Sequence, residues 1–326
     1  MPARELHSAW IGSSGGAGSC GLAAARFPYW SFTKTAIAIV ALQLVEAGAL
    51  ELDARLAQRP YSLRQLLAHT SGLPDYGTLA DYHRAVAAGE APWPPEVMLE
   101  RSLRGGMLFA PGAGWAYSNI GYMVVCDLIE RTTALPLGTL FAERLGAPLG
   151  LESLELAETP AAFAGLHWRE AAGYHPGWVY HRCLAGTAGD AARLLQGLFA
   201  GALLAPRTLE EMLAARPLGG PLPGRPWSRC GYALGLMSGE IGGLGRAIGH
   251  SGVGPFCVNA VCHFPDLREP LTVACFAEGP DEGVAEQAAA RIAFAQARPR
   301  RRPGGAATTP VRSGRSRRRR RPRFRS

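Results

Sequence analysis

Between Phe27 and Gly48 the chain reads FPYWSFTKTAIAIVALQLVEAG, and no other stretch limits its folding so strongly. From about Thr33 onward Ala36, Ile37, Val40, Ala41, Leu44 and Val45 recur at helical spacing, and Gly48 supplies a stop. A helix this apolar belongs in a core. It nevertheless carries Lys34, the only lysine of the chain; the other 33 of the 34 basic residues are arginine. Where a positive charge alone is needed this chain uses arginine, so position 34 needs something arginine lacks. A guanidinium keeps its proton, whereas a desolvated ammonium can become a neutral amine that accepts one.

Ser31 lies three positions before Lys34. Residues at i and i+3 are neighbours on one helix face, so hydroxyl and amine can touch. At a helix start, unpaired N–H groups and the positive end of the dipole favour a developing negative charge. A serine beside a base is an acyl-transfer nucleophile in outline. To act at ordinary pH the amine must fall from about 10.4 toward neutrality, which corresponds to ~4 kcal/mol. The same residues also suit a buried helix with Ser31 as an ordinary cap and Lys34 reaching solvent.

Two further segments carry candidate groups. Tyr117-Ser118-Asn119 follows a Pro/Gly-rich turn and precedes an apolar-periodic helix. In an extended piece residues two apart point the same way, so the Tyr117 hydroxyl and the Asn119 amide converge. Taken singly, Tyr117 also suits a core aromatic and Asn119 a helix cap. Gly249-His250-Ser251-Gly252 lies between an apolar run ending at Ile248 and the apolar-rich stretch Phe256 to Phe264.

Ser-x-x-Lys, then Tyr-x-Asn, then His-Ser-Gly before the last strands is the order found in penicillin-recognising serine hydrolases. The chain resembles the family of class C β-lactamases, D-alanyl-D-alanine peptidases and related esterases. LLAHTSGLPDY at 66–76, FAPGAGWAYSNIGY at 109–122, APLGLESLEL at 147–156 and GYALGLMSGEIGGLGRAIGHSG at 231–252 carry the resemblance further, over roughly 27–296. It implies Ser31 as the acylated nucleophile, Lys34 as its base, Tyr117 as a proton relay to the leaving group, and Asn119 as holder of Lys34 and the substrate amide. His250, where β-lactamases usually have lysine, would be a weaker, switchable cation. Ser251 and Gly252 would line the substrate, and the backbone N–H groups of Ser31 and Val253 would form the oxyanion hole. Gly252 suits a strand that a ligand backbone must approach closely. The substrate implied is a small ester or peptide, with esterase or D-amino-acid peptidase chemistry ranked above β-lactam hydrolysis. The alternative is a truncated, non-catalytic relative that binds acyl or cell-wall peptide ligands.

Other chemistries fit less well. The nearest approach to a G-x-S-x-G elbow, Gly249 to Val253, has valine where the second glycine belongs. Seven cysteines, at 20, 126, 183, 230, 257, 262 and 275, show neither C-x-x-C nor tight metal spacing. In GYHPGWVYHRC, His175, His181 and Cys183 suit an aromatic loop better than a metal site. No Gly-rich segment has the dinucleotide or phosphate pattern, so neither cofactor nor metal is expected.

The net charge of +8 divides unevenly. Arg298–Ser326 holds 13 arginines and no acids, which leaves 21 basic against 26 acidic residues, or −5, for residues 1–297. The tail reads as disordered. Nucleic-acid or anionic-membrane binding is the alternative to a nonspecific extension, which is preferred. The chain has neither a transmembrane-length apolar run nor a convincing signal-peptide core, so a cytoplasmic monomer is the default, with export if the true N-terminus is missing.

The pattern predicts an α+β fold: an antiparallel sheet flanked by helices, plus a mostly helical region over about 60–215. Three parts follow: a disordered or atypical N-terminus over 1–26, a serine-hydrolase domain over 27–297 and the tail over 298–326. Ser62-x-x-Gln65 forms a capping box, and Thr208 with Glu211 a second. Helices are expected near 79–88, 95–104, 119–133, 138–145, 188–200, 208–215 and 281–296, and strands near 231–238, 245–250, 256–264 and 271–277. Residues 1–26 read as loop. Relatives carry two strands before the S-x-x-K helix, so the sheet is expected to lack its N-terminal members, through truncation or a misassigned start, and to expose an edge.

Overall fold

The structure is a computed structural model that describes residues 5–297. The tail and its proposed partners lie outside the described residues. The strands are β1 (Leu6–Gly12), β2 (Ala17–Cys20), β3 (Arg26–Pro28), β4 (Glu155–Leu156), β5 (Leu184–Thr187), β6 (Arg216–Gly219), β7 (Trp227–Tyr232), β8 (Met237–Ile241), β9 (Gly245–Val253), β10 (Cys257–Phe264) and β11 (Leu271–Glu278). The helices are α1 (Thr33–Glu46), α2 (Leu63–Leu67), α3 (Ala80–Ala87), α4 (Pro95–Ser102), α5 (Asn119–Thr133), α6 (Leu137–Phe141), α7 (Ala147–Leu149), α8 (Pro160–Ala164), α9 (Ala188–Phe199), α10 (Pro206–Leu213) and α11 (Glu282–Ala297).

Eight strands form an antiparallel sheet in the order β2-β1-β11-β10-β9-β8-β7-β6, and β3-β5-β4 form a small second sheet. The α+β expectation holds. Alternation along β10 builds two cores from one strand. Val258, Ala260, Cys262 and Phe264 pack with the alanines of α11, while Cys257 and Val261 join the core shared with α1 and α9. Helix α1 is buried all round, with Ala36 to Leu42 wholly inaccessible.

The reading of residues 1–26 as loop is corrected. Strand β1 pairs antiparallel with β11, Leu6 opposite Ala277 through Gly12 opposite Leu271, and β2 pairs with β1. The bare edge expected beside β11 is therefore covered. The sequence hid β1 because both its faces are packed: Ala9 and Ile11 join the core of α1 and α9, and Leu6 and Trp10 join that of α11. With both faces buried the alternation of polar and apolar residues disappears. Strand β2, AGSC, is short and polar, as edge strands tend to be, and the Trp10 ring covers its Gly18.

The single strand expected over 231–238 is two, β7 and β8, joined by a tight turn in which the Ala233 N–H donates to the Leu236 carbonyl. The first capping box exists: Ser62 Oγ accepts from Gln65 N, and Gln65 Oε1 accepts from Ser62 N. The second does not, because α10 starts two residues earlier with Pro206 in its first turn, and Glu211 instead accepts from Arg64 at 2.7 Å.

Candidate active site

Ser31 sits in a single 3₁₀ turn, Trp30–Phe32, that runs into α1. The turn packs against β9 and β10, so the nucleophile candidate lies where the helical core meets the sheet. Its entry is pinned from several sides. Asn259 on β10 donates to the Tyr29 carbonyl at 2.9 Å, Thr33 Oγ1 accepts from Leu184 N at 3.0 Å, and Thr35 Oγ1 donates to the Gly235 carbonyl at 2.8 Å. Trp30 has φ +44°, a left-handed conformation that costs a non-glycine residue about 1–3 kcal/mol. Its ring packs against Phe163, Tyr174 and Phe256, and its Nε1–H donates to Cys257 Sγ at 3.2 Å. These contacts hold the turn in the form that presents Ser31.

Around Ser31 the first two clusters converge. Lys34 Nζ lies 3.2 Å from Ser31 Oγ, and the Tyr117 hydroxyl donates to the same oxygen at 2.9 Å. Lys34 Nζ donates to Asn119 Oδ1 at 2.7 Å. Asn119 is free to do so because Ser118, not Asn119, caps α5: Ser118 Oγ accepts from Gly121 N at 3.0 Å. Lys34 is wholly buried, and desolvation lowers its amine to about 7, against an opposing pull from Asp75. Burial also pushes the Tyr117 phenol well above its usual range.

Asp75 and His69 complete the site, and neither was singled out in the sequence. Asp75 Oδ1 accepts from Asn119 N at 2.9 Å and Oδ2 from Asn119 Nδ2 at 3.3 Å, which turns Oδ1 of the amide toward Lys34. His69 Nδ1 accepts from Ser118 N at 3.1 Å, and its ring lies 4.3 Å from that of Tyr117. Both residues fall in LLAHTSGLPDY, whose family likeness was legible although its individual side chains were not. The second asparagine, Asn259, was equally silent.

The third cluster divides. Gly252 reaches Ser31: a Cβ there would stand 2.9 Å from Ser31 N and 2.8 Å from both Trp30 Cβ and Asn259 Nδ2. Val253 closes β9 one residue on and is half-exposed. His250 is within the site, its ring 6.4 Å from that of Tyr117, but it is not the cation the sequence suggested. Its Nδ1–H donates to the Ser251 carbonyl at 2.5 Å, and its Nε2 accepts from the Tyr232 hydroxyl at 2.9 Å. Burial, then the nearby Lys34 charge, lowers it to about 3, so it stays neutral. Ser251 also departs from its expected place. Alternation turns its hydroxyl through the sheet toward α11, where it donates to Glu286 Oε1 at 2.5 Å, so it does not line the Ser31 side.

His175, His181 and Cys183 do not meet as a group of three at metal-ligand spacing; His175 Nδ1 accepts from Gly177 N at the start of a 3₁₀ turn, and His181 and Cys183 are buried. Among the described residues the one group of three with metal-ligand spacing is Glu5, His7 and His167. Its chemistry is wrong for a cation. His7 Nδ1 accepts from Leu22 N at 3.0 Å, so Nε2, the atom facing His167 and Glu5, carries the proton and has no lone pair to offer. No helix among the described residues is long and apolar enough to cross a membrane.

A serine one turn before a buried lysine, faced by Tyr-x-Asn and by a strand glycine between an antiparallel sheet and a helical region, defines the architecture of the penicillin-recognising serine proteins. The sequence profile of the Beta-lactamase family matches residues 10–298, and the chain belongs to that family. A D-aminopeptidase of Brucella anthropi is 30% identical over 238 residues, covering 70% of this chain and 45% of that protein. Penicillin-binding protein 4* of Bacillus subtilis is 30% identical over 136 residues, 38% of this chain and 29% of that one. The chain spans less than half the length of the curated D-aminopeptidases it matches. Among solved structures, D-amino acid amidase from Ochrobactrum anthropi SV3 superposes with TM-score 0.74 at 19% identity, over 89% of this chain and 92% of that one. An octameric penicillin-binding protein homologue from Pyrococcus abyssi gives 0.69 at 18% identity, over 88% and 73%.

Proposed function

We propose that the protein is a serine hydrolase that forms an acyl-enzyme on Ser31 and cleaves amides, peptides or esters of D-amino acids. The observation that carries this reading is the double contact on Ser31 Oγ, 3.2 Å from Lys34 Nζ and 2.9 Å from the Tyr117 hydroxyl. Neutral Lys34 takes the Ser31 proton as the oxygen attacks the carbonyl; as the bond to the leaving amine or alcohol breaks, Tyr117 gives that group its proton and is reprotonated by the Lys34 ammonium, which returns to the neutral amine. Asn119 steadies Lys34 and the substrate amide. Charge on the carbonyl oxygen is received by the N–H groups of Ser31 and Val253. A water activated by the same base then releases the acid.

Neutral His250 supports ranking amides and esters above β-lactams, as do the names of the D-aminopeptidases and the amidase. The cations His250 senses are Lys34 and Arg225. Arg225 is held by Glu282 and Glu286, so it is not free to receive a substrate carboxylate. Intact-mass spectrometry after treatment with a fluorophosphonate is expected to give one adduct, mapped to Ser31. Absence of that adduct overturns the mechanism. Turnover of D-alanine p-nitroanilide is expected to exceed that of nitrocefin, and the opposite order reverses the ranking of substrates.

A further inference from the structure

The hydroxyl that turned away from the substrate side belongs to a buried ionic cluster beneath the site. Ser251 Oγ donates to Glu286 Oε1 at 2.5 Å and accepts from Arg225 Nη2 at 3.2 Å, with Met237 Sδ also 3.2 Å away. Arg225 makes a two-pronged contact with the Glu286 carboxylate, at 2.7 and 2.5 Å, and reaches Glu282 at 2.7 Å. Glu286 is 1% exposed and Ser251 4%. A buried ion pair of this kind is a poor source of stability, since well-packed apolar residues serve the fold as well or better. Its location gives it another use.

Strand β9 pairs with β8 only as far as Gly249, opposite Met237, and with β10 through Val253. Its last four residues, His250 to Val253, thus have a ladder on one edge alone. Those residues are the ones that pass Ser31, with Gly252 so near Ser31 N that no side chain fits between them. A half-paired strand can rock about its remaining ladder, and a drift of about 1 Å at such a place is costly for catalysis.

Resting on the function proposed above, we infer that Ser251, Glu286 and Arg225 are positioning residues. They tie the half-paired end of β9 to α11 from behind and fix the distance between β9 and Ser31. None of the three touches the reacting atoms. The cluster acts through the backbone between His250 and Val253.

Two measurements on the full chain test this. Hydrogen exchange should show that Ser251→Ala speeds exchange of the β9 amides from His250 to Val253 about tenfold while β10 and β11 keep wild-type protection. Unchanged β9 exchange overturns the inference whether or not Ser31 reacts. The rate of fluorophosphonate attachment to Ser31 should fall about tenfold in Ser251→Ala and return in Ser251→Thr, which keeps the hydroxyl. Loss of thermal stability with a wild-type rate of labelling also overturns it, since a merely structural role predicts that pattern. A wild-type protein that takes no label, but whose β9 exchange still depends on Ser251, would refute the serine hydrolase mechanism and leave the clamp standing.

Discussion

Replacing Lys34 by arginine and by methionine separates the two things asked of this residue. The fall of its amine from 10.5 to about 7 corresponds to about 5 kcal/mol of differential interaction between its two protonation states. At about pH 6 roughly a tenth of the amine is neutral, and at about pH 8 roughly nine-tenths, so kcat/KM should rise about ninefold across that interval and then level. The other buried groups around Lys34 leave this interval clear. His250 is lowered to about 3, His69 and His181 are pushed well below their usual value by burial, and the Cys126 and Cys183 thiols are raised to about 12. Asp75 is raised by burial and interacts with the amine, so the rising limb belongs to that pair. Lys34→Arg cannot deprotonate and should lose about 10²- to 10⁴-fold at every pH. Stability should move the other way. The folded amine holds its proton more weakly than the unfolded one, so its penalty is complete below about pH 7 and disappears as pH climbs toward 10.5. Lys34→Met removes that penalty but strands Asn119 Oδ1, a loss of about 1–3 kcal/mol. Urea unfolding should therefore find Lys34→Met more stable than wild type by a few kcal/mol near pH 6, with the advantage shrinking toward pH 10. A flat rate profile across neutral pH, or Lys34→Arg within threefold of wild type, would refute the assignment of Lys34 as base.

Asp75→Asn removes the carboxylate that opposes the lowering of Lys34, so the rising limb of the rate profile should move to lower pH; a limb that stays in place, or moves up, contradicts the electrostatic reading. Gly252→Ala puts a methyl group within 2.9 Å of Ser31 N and should cut acylation about 10²-fold or more, measured by the rate of fluorophosphonate labelling. Ser62→Ala opens the capping box of α2 and should lower stability by about 1 kcal/mol in denaturant titration, with kcat/KM close to wild type because α2 carries none of the groups on Ser31.

Helix α1 was legible because a lone lysine in an apolar run of helical period leaves little choice of environment. The spacing of Ser31 and Lys34 fixed their contact, since three residues along a helix is a geometric statement. Tyr117 and Asn119 converge as the two-residue period predicts. Strand β1 escaped notice because burial on both faces erases the very alternation by which strands are read. His250 illustrates a different limit. Its residue type suggests a group that titrates near neutral pH, but Tyr232 and the Ser251 carbonyl, packed around it in a dry site, decide that it does not.

Local periodicity and spacing thus determined the sequence's own part: a buried amine one turn from a hydroxyl, a Tyr-x-Asn pair on one side of an extended segment, and an antiparallel sheet behind them. Tertiary structure alone decided which carboxylate orients Asn119, which face of β9 meets Ser31 beyond Gly249, and which histidines stay neutral. Those outcomes depend on groups distant in the chain, on their desolvation and on their mutual charges, and no local pattern of residues encodes a sum of that kind.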